Sequence, residues 1–260
     1  MRLVTFNLMH GRSLQDGRVD PARLTAAVAG LDADVLGMQE VDRDQPRSGG
    51  ADLAALAAAA LGDRAAHRFV PTVIGTPGER FRTVTASDAG VGEPHYGVAL
   101  ATRWPVREWR VARLPAARMR APVYVPGPSG GGMILLDDEP RVLLAAVVDG
   151  PWGAMTVATT HLSFIPGWNV RQLRQAIRVL RTLPAPRLLL GDLNIPGRVA
   201  GVVSGWRMLA HRPTYPSPTP RVQFDHVLLD PRGAAGLPPP REARTPPVTV
   251  SDHRPLVVEW

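Results

Sequence analysis

Short apolar runs, bounded by polar or turn-forming residues, recur from one end of the chain to the other, and most are too short to be helices. The opening "RLVTFNL" alternates as a strand does. "DVLGMQEV" reads as a buried strand ending in Glu40, and "RFVPTVI" and "YGVALATRWPV" read as further strands. "RVLLAAVVD" and "AMTVATTHL" are two more, joined through "GPWG" as a hairpin. "RLLLGD", "FDHVLL" and "PLVVEW" follow. Helical period surfaces only between these runs. In "DPARLTAAVAGLD", Asp20 is placed to cap and Pro21 to open a helix, with Leu24, Ala27, Val28 and Leu31 at helical spacing. "ADLAALAAAALG" reads as a packed Ala-rich helix. In "NVRQLRQAIRVLRTL", Val170, Leu173, Ile177 and Leu180 line one face, with arginines opposite.

Two segments lack a period. Residues 110–139, which include "PGPSGGG", read as irregular with a mobile loop, and the Pro-rich stretch 237–247 reads as a second long loop. No repeat and no linker divides the chain, so a single domain over residues 1–260 is expected. Several strands arrive as consecutive hairpins with few helices between them. That pattern predicts an α+β fold, with two mainly antiparallel sheets face to face and helices outside.

Composition narrows the chemistry. With 260 residues the chain can bury a sizeable core, and 45% hydrophobic content makes it globular. It has no cysteine, which excludes disulfides, a thiolate nucleophile and Cys-ligated zinc, and fits a cytoplasmic location. The N-terminus reads as a first strand, not a signal peptide. No apolar run approaches the roughly 18 residues that span a bilayer, so stable membrane insertion is not expected. A monomer is expected. Net charge is +7, and all 30 basic residues are arginine. Coding bias explains that choice, but the consequence is physical: a planar fork suits phosphate oxygens, and a basic protein attracts anionic partners.

The candidate chemistry lies at strand ends. Asn7 follows "LVTF", Glu40 follows "VLGMQ", and His161 follows "MTVATT". Asp192 and Asn194 follow "LLLG"; Asp225 and His226 precede "VLL"; Asp252 and His253 precede "RPLVVE". One such residue is an ordinary turn or cap, and "GDLNIP" alone reads equally well as a turn. If its strand stays extended, Asp192 and Asn194 point into one space. Clusters recurring at strand ends can converge on one rim of a sandwich. The oxygen donors Asn7, Glu40, Asp192 and Asp252 suit Mg²⁺, Mn²⁺ or Ca²⁺ rather than zinc.

With these motifs in hand, the chain resembles the endonuclease/exonuclease/phosphatase superfamily, which includes deoxyribonuclease I-like enzymes. "FNL", "QEV", "TTHL", "GDLN", "FDHV" and "SDHRP" occur in the family's order over essentially the whole chain. The resemblance implies a four-layered α/β/β/α sandwich and a Mg²⁺-dependent (or Mn²⁺-dependent) phosphoesterase, acting on a phosphodiester by in-line attack of water. It implies that Asn7, Glu40 and Asp252 hold the metal, that Asp192 takes the proton of the attacking water, and that Asn194 orients the water or the phosphate. It implies that His253 contacts the phosphoryl group with Asp225 orienting its imidazole, and that His161 is a second phosphate contact or a proton donor. The partner is then a phosphate-ester substrate, nucleic acid among the candidates. Alternatives are a phosphomonoesterase, a sphingomyelinase-like phospholipase C, or a relative that binds phosphate or nucleic acid without catalysis. Met9, Val98 and Tyr96 depart from residues common in relatives and point away from abasic-site repair.

Other residues have two readings each. His10 either lines the cleft or occupies a turn. His226 is expected on the far face of its strand, and His67, His95 and His211 at the surface. "FIPGW" is either a substrate wall or a helix-start staple. Arg43 and Arg47 either approach the phosphate or lie in a solvated loop. The arginines of "ATRWPVREWRVARLPAARMR" are more simply the wet face of a strand than a phosphate stripe.

Overall fold

The computed structural model describes residues 1–85, 88, 92–125 and 132–260. The first half contains β1 (Arg2–Asn7), α1 (Pro21–Leu31), β2 (Val35–Arg43), α2 (Leu53–Leu61), β3 (Ala66–Gly75), β4 (Phe81–Thr83) and β5 (His95–Thr102). The middle contains β6 (Val106–Leu114), β7 (Arg120–Val125), β8 (Gly132–Asp137), β9 (Arg141–Gly150) and β10 (Gly153–His161). Then come α3 (Trp168–Leu180), β11 (Arg187–Asp192), α4 (Val199–Ser204), β12 (Arg207–Met208), β13 (Asp225–Leu229), β14 (Glu242–Arg244) and β15 (Leu256–Glu259). The expected cap at Asp20 forms, accepting from the Ala22 N–H at 2.8 Å, and Asp52 caps α2 in the same way, accepting from the Ala55 N–H at 2.9 Å.

One sheet has seven strands in the order β14-β15-β1-β2-β5-β3-β4, and the other six in the order β12-β13-β11-β10-β9-β6. Both are mixed. The β1–β2 and β10–β11 pairs are parallel, and the remaining neighbours are antiparallel. Three apolar clusters fill the three gaps between four layers. Leu3, Val35, Leu100, Leu144, Val157 and Leu190 lie between the sheets. Leu24, Val28, Leu53 and Ala57 attach α1 and α2 to the first sheet. Leu173, Ile177, Leu180 and Ala200 attach α3 and α4 to the second. This is the expected α/β/β/α sandwich. A polar seam crosses its middle: Gln39 Nε2 donates to Thr159 Oγ1 at 2.8 Å, and Thr5 Oγ1 donates to Gln39 Oε1 at 3.3 Å. Gly37 sits beside this seam, where a Cβ would lie 2.8 Å from Thr159 Oγ1.

The two aperiodic segments are more ordered than their sequence suggests. Residues 110–114 finish β6, an edge strand whose arginines are exposed, and β7 and β8 form a two-stranded ribbon outside both sheets. Residues 126–131, the core of the "PGPSGGG" loop, lie outside the described residues. The Pro-rich stretch 237–247 includes β14, which adds an edge to β15. Edge strands tolerate proline and charge, and so hide their period. On the ribbon, Met133, Ile134 and Leu135 are 62%, 44% and 63% exposed. Consecutive strand residues face opposite ways, so β8 exposes apolar side chains on both of its faces.

His95 was expected at the surface but is buried. It opens β5, which lies between β2 and β3, and every residue of that strand is buried. His67 and His211 are exposed. His226 is fully buried, with its Nε2 2.8 Å from the Ile195 carbonyl oxygen. Burial holds its pKa down to about 4. The unfolded chain therefore binds a proton near pH 6.5 that the folded chain refuses, so this group costs stability as pH falls from about 6.5 to 4, on the order of 3 kcal/mol in total. His226→Gln is expected to flatten the fall of the thermal midpoint between pH 6.5 and 4. Parallel midpoint-versus-pH curves for variant and wild type would refute it.

Candidate active site

Strand direction explains why polar groups at both strand starts and strand ends meet on one rim. β1, β2, β10 and β11 run toward the rim, while their antiparallel neighbours β5, β9 and β13 start there. In the second sheet His161 pairs in register with Asp192, and Asp192 with Asp225, so three site residues form a row across β10, β11 and β13. In the first sheet Asn7 pairs with Gln39, and Glu40 follows. The β2–β5 register shifts between Met38 and Val41, and Glu40 adopts φ 53°. This bulge in a left-handed conformation turns the carboxylate toward the cleft, a strain typical of functional positions.

Asn7 joins the two sheets. Its Nδ2 donates to Glu40 Oε1 and to Asp192 Oδ2, each at 3.0 Å, while its Oδ1 accepts from the Met9 N–H. Gly191 permits the approach on the other side, since a Cβ there would lie 2.1 Å from the Thr160 carbonyl oxygen. Both readings of "GDLNIP" hold together. Asp192 Oδ1 accepts from the Asn194 N–H at 3.0 Å, a local Asx turn, and Asn194 has φ 49°. The backbone is therefore not extended past Asp192, and the two side chains share a space through a turn. Asn194 Nδ2 lies 3.2 Å from His161 Nε2 and donates to the Leu162 carbonyl at 3.0 Å.

The two histidines are electrostatic opposites. His253 sits on the turn before β15, and its Nδ1 is 2.7 Å from Asp225 Oδ2. Burial alone would depress it, but Asp225 and then Asp192 overcome that and push it up to about 10. Its Nε2 is 3.8 Å from Asp192 Oδ2, too far for a hydrogen bond, which leaves that donor for another acceptor. Asp225 Oδ1 is buried without a hydrogen-bond partner among the described residues. His161 is held down to about 3 by burial and then by the charge of Arg141. It is neutral at physiological pH, so no imidazolium proton is available from it. Glu40 is pushed up to about 7 by burial and by the charge of Asp252, and Asp252 is itself raised by burial.

A cleft of about 440 Å³ runs over these groups, lined by Glu40, His161, Asp192, Asn194, Asp252 and His253. Asn7 and Asp225 lie beneath it, within the bonds already described. His10 reaches the cleft wall, where burial and the charges of Arg47 and Arg12 hold it down to about 3. Of Arg43, which ends β2, and Arg47, the latter lines the cleft and pairs through Nε and Nη2 with Asp42 at 2.8 and 2.7 Å. Arg43 stacks on Phe69 instead. Phe164 of "FIPGW" lines the cleft, while Ile165 turns into the core. Arg107 pairs with Asp149, and Arg113 donates to the Pro71 carbonyl; neither lines the cleft.

Sequence reasoning missed Tyr215 and Phe224, which line one end of the cleft; Tyr215 lies 5.0 Å ring to ring from His253. It also missed Glu139 and Arg141 at the other end. A signal for Arg141 existed: it is a charge opening the apolar run "RVLLAAVV", the same pattern that marked the other site residues.

The fold is shared with solved structures. The crystal structure of an endonuclease/exonuclease/phosphatase from Beutenbergia cavernae aligns with a TM-score of 0.65 at 22% identity, covering 99% of this chain and 70% of that one. A mannosyl-6-phosphatase from Bacteroides thetaiotaomicron aligns with a TM-score of 0.60 at 14% identity, over 100% and 98%. D. rerio TDP2 complexed with single-strand DNA product aligns with a TM-score of 0.61 at 17% identity, over 99% and 97%. No curated protein sequence matches the chain. The sequence model of the Endonuclease/Exonuclease/phosphatase family matches residues 4–253, nearly the full length, and by that match and the four-layered fold the chain belongs to this family.

Proposed function

We propose that the protein is a divalent-metal-dependent phosphoesterase that hydrolyses a phosphodiester by in-line attack of water. The observation that carries this reading is the meeting of Asn7 and Glu40 from one sheet with Asp192, Asn194, His161 and His253 at one cleft, Asn7 from beneath it. The residues fit a cation. Glu40, Asp252 and Asp192 crowd their charges together, and burial and mutual repulsion already raise Glu40. Asn7, Glu40 and Asp252 would hold the metal, which would supply charge stabilisation at the phosphoryl and leaving oxygens. Ligand atoms of Asp192, Asp225 and His253 also lie within 4.8 Å of one another. That trio is the poorer site, because His253 is cationic and already bonded to Asp225.

The chain's own groups divide the remaining work. Asp192, held by Asn7 and the Asn194 N–H, is placed to take the proton of a water in the cleft. The Asn194 side chain braces neutral His161 beside it. His253 offers a cationic Nε2–H where charge builds on a phosphoryl oxygen, and Asp225 fixes its ring. Asp225→Asn and His253→Ala should each lower kcat, and the double variant should fall little below His253→Ala alone. Losses that multiply in steady-state assays would mean that the two residues act separately.

A second reading is supported by the β7–β8 ribbon, which exposes apolar side chains and whose Leu136 lines the cleft. An apolar ribbon beside a phosphoesterase cleft suits a phospholipid headgroup presented at a surface, as in a sphingomyelinase-like phospholipase C. No helix among the described residues is long and apolar enough to cross a membrane. The deciding experiment is a panel of single-stranded and nicked DNA, RNA, generic phosphodiesters and phosphomonoesters, and sphingomyelin vesicles, each with Mg²⁺, Mn²⁺ or EDTA. Turnover of diesters in solution supports the first reading, and turnover restricted to vesicles supports the second. Hydrolysis of phosphomonoesters only would overturn both in favour of a phosphomonoesterase.

A further inference from the structure

Arg141 opens β9, one position before Val142, whose carbonyl accepts from Thr160 Oγ1 at 2.8 Å. This places it on the strand beside His161 and on the same rim. Its residue exposure is 4%, and it lines the cleft. A guanidinium carries five donors in a fixed plane. Among the described residues this one makes no hydrogen bond, and its Nε is buried without a partner. Its nearest acidic atoms are Glu139 Oε2 at 3.5 Å and Asp138 Oδ1 at 3.8 Å, both beyond a charge-assisted hydrogen bond. Those two oxygens are themselves buried and unpartnered.

A structural ion cluster closes its hydrogen bonds, because an underbonded charge in a dry interior is costly. Arg47, on the same cleft, shows what a closed arginine looks like: both of its bonds to Asp42 are made. Arg141 is instead fixed by charge and left with its fork open. An oxyanion with two or three tetrahedral oxygens is the ligand that such a fork matches.

We propose that Arg141 is a substrate contact, and that its guanidinium takes an oxygen of the substrate's phosphate group at the His161 side of the cleft. Glu139 acts as the positioning residue that aims it. The inference rests on the phosphoesterase reading and adds to it a fixed cation that stays charged at every working pH. It also gives a role to the cleft wall opposite His253, so that the phosphate would be held between two cations, one from each end of the row.

The test is steady-state kinetics on the best substrate of the panel, with inorganic phosphate as competitive inhibitor and far-UV spectra and thermal midpoints as folding controls. Arg141→Lys keeps the charge and loses the fork. It should raise KM and weaken phosphate inhibition by about 10- to 100-fold, as expected for losing a charged hydrogen-bonding partner. Arg141→Ala should regain activity saturably with added guanidinium ion and not with NaCl. The double variant Arg141→Gln/Glu139→Gln removes one positive and one negative charge together, so the cluster's net charge is unchanged and the fold is protected. It should stay impaired in KM and in phosphate binding. If the double variant recovers wild-type KM and phosphate inhibition, Arg141 serves only to neutralise Glu139, and the proposal is wrong. Unchanged KM and inhibition in a folded Arg141→Lys would overturn it equally. If the wild type turns over no phosphate ester at all, the phosphoesterase reading itself fails, a result distinct from either of these.

Discussion

Asp192→Asn is expected to fold with an unchanged spectrum and to lose turnover by about 10²–10⁴-fold, the usual worth of a general base. The change is nearly isosteric. It keeps an oxygen that can accept from the Asn194 N–H, so the turn after β11 survives. What it removes is the one carboxylate that faces Asn7, His161 and His253 together. A role in the turn alone would leave kcat near wild type, and that outcome, measured under saturating Mg²⁺, would show that Asp192 is not the base.

Glu40→Gln should lower activity by at least about 10²-fold, in the range expected when a metal's charge stabilisation is lost. Its second effect runs the other way. The folded pKa of Glu40 is raised to about 7 by burial and by Asp252, so in metal-free protein its ionisation costs stability as pH rises from about 4.5 to 7. Removing the carboxylate should therefore raise the thermal midpoint in EDTA at pH 8 and leave it little changed at pH 4. Full activity of wild type in excess EDTA would refute the metal-ligand role, and a variant that melts lower than wild type in EDTA at pH 8 would refute the raised pKa of Glu40.

Much of the architecture was legible because the interior strands are short apolar runs with polar ends. "RLLLGD", "AMTVATTHL" and "DVLGMQEV" place Asp192, His161 and Glu40 at one rim before any coordinate is known. Illegible features had other causes. β6, β14 and the β7–β8 ribbon lie at edges or outside the sheets, where one or both faces are wet and the period is diluted by arginine and proline. His95 looked like a surface residue because nothing local reveals that β5 is an interior strand. The left-handed Glu40 depends on the bulge in β2 against β5, and the close approach of Thr160 to Gly191 joins two strands distant in sequence; both are long-range. Arg141 was overlooked because arginine is common in this chain, so a charge opening an apolar run did not stand out until its burial without a hydrogen-bond partner was visible.

The seam of Gly37, Gln39 and Thr159 fixes more than the core. Asn7 and Glu40 travel with one sheet, and His161, Asp192 and Asp225 with the other, so the width of the reaction centre is the spacing between sheets. That spacing is set several residues below the cleft, where Gly37 lets Thr159 come close and Gln39 ties it. Catalytic tolerance in this protein is thus a property of interior volume. A methyl group added at Gly37 would act as a wedge, parting a carboxylate from a carboxamide that no mutation has touched.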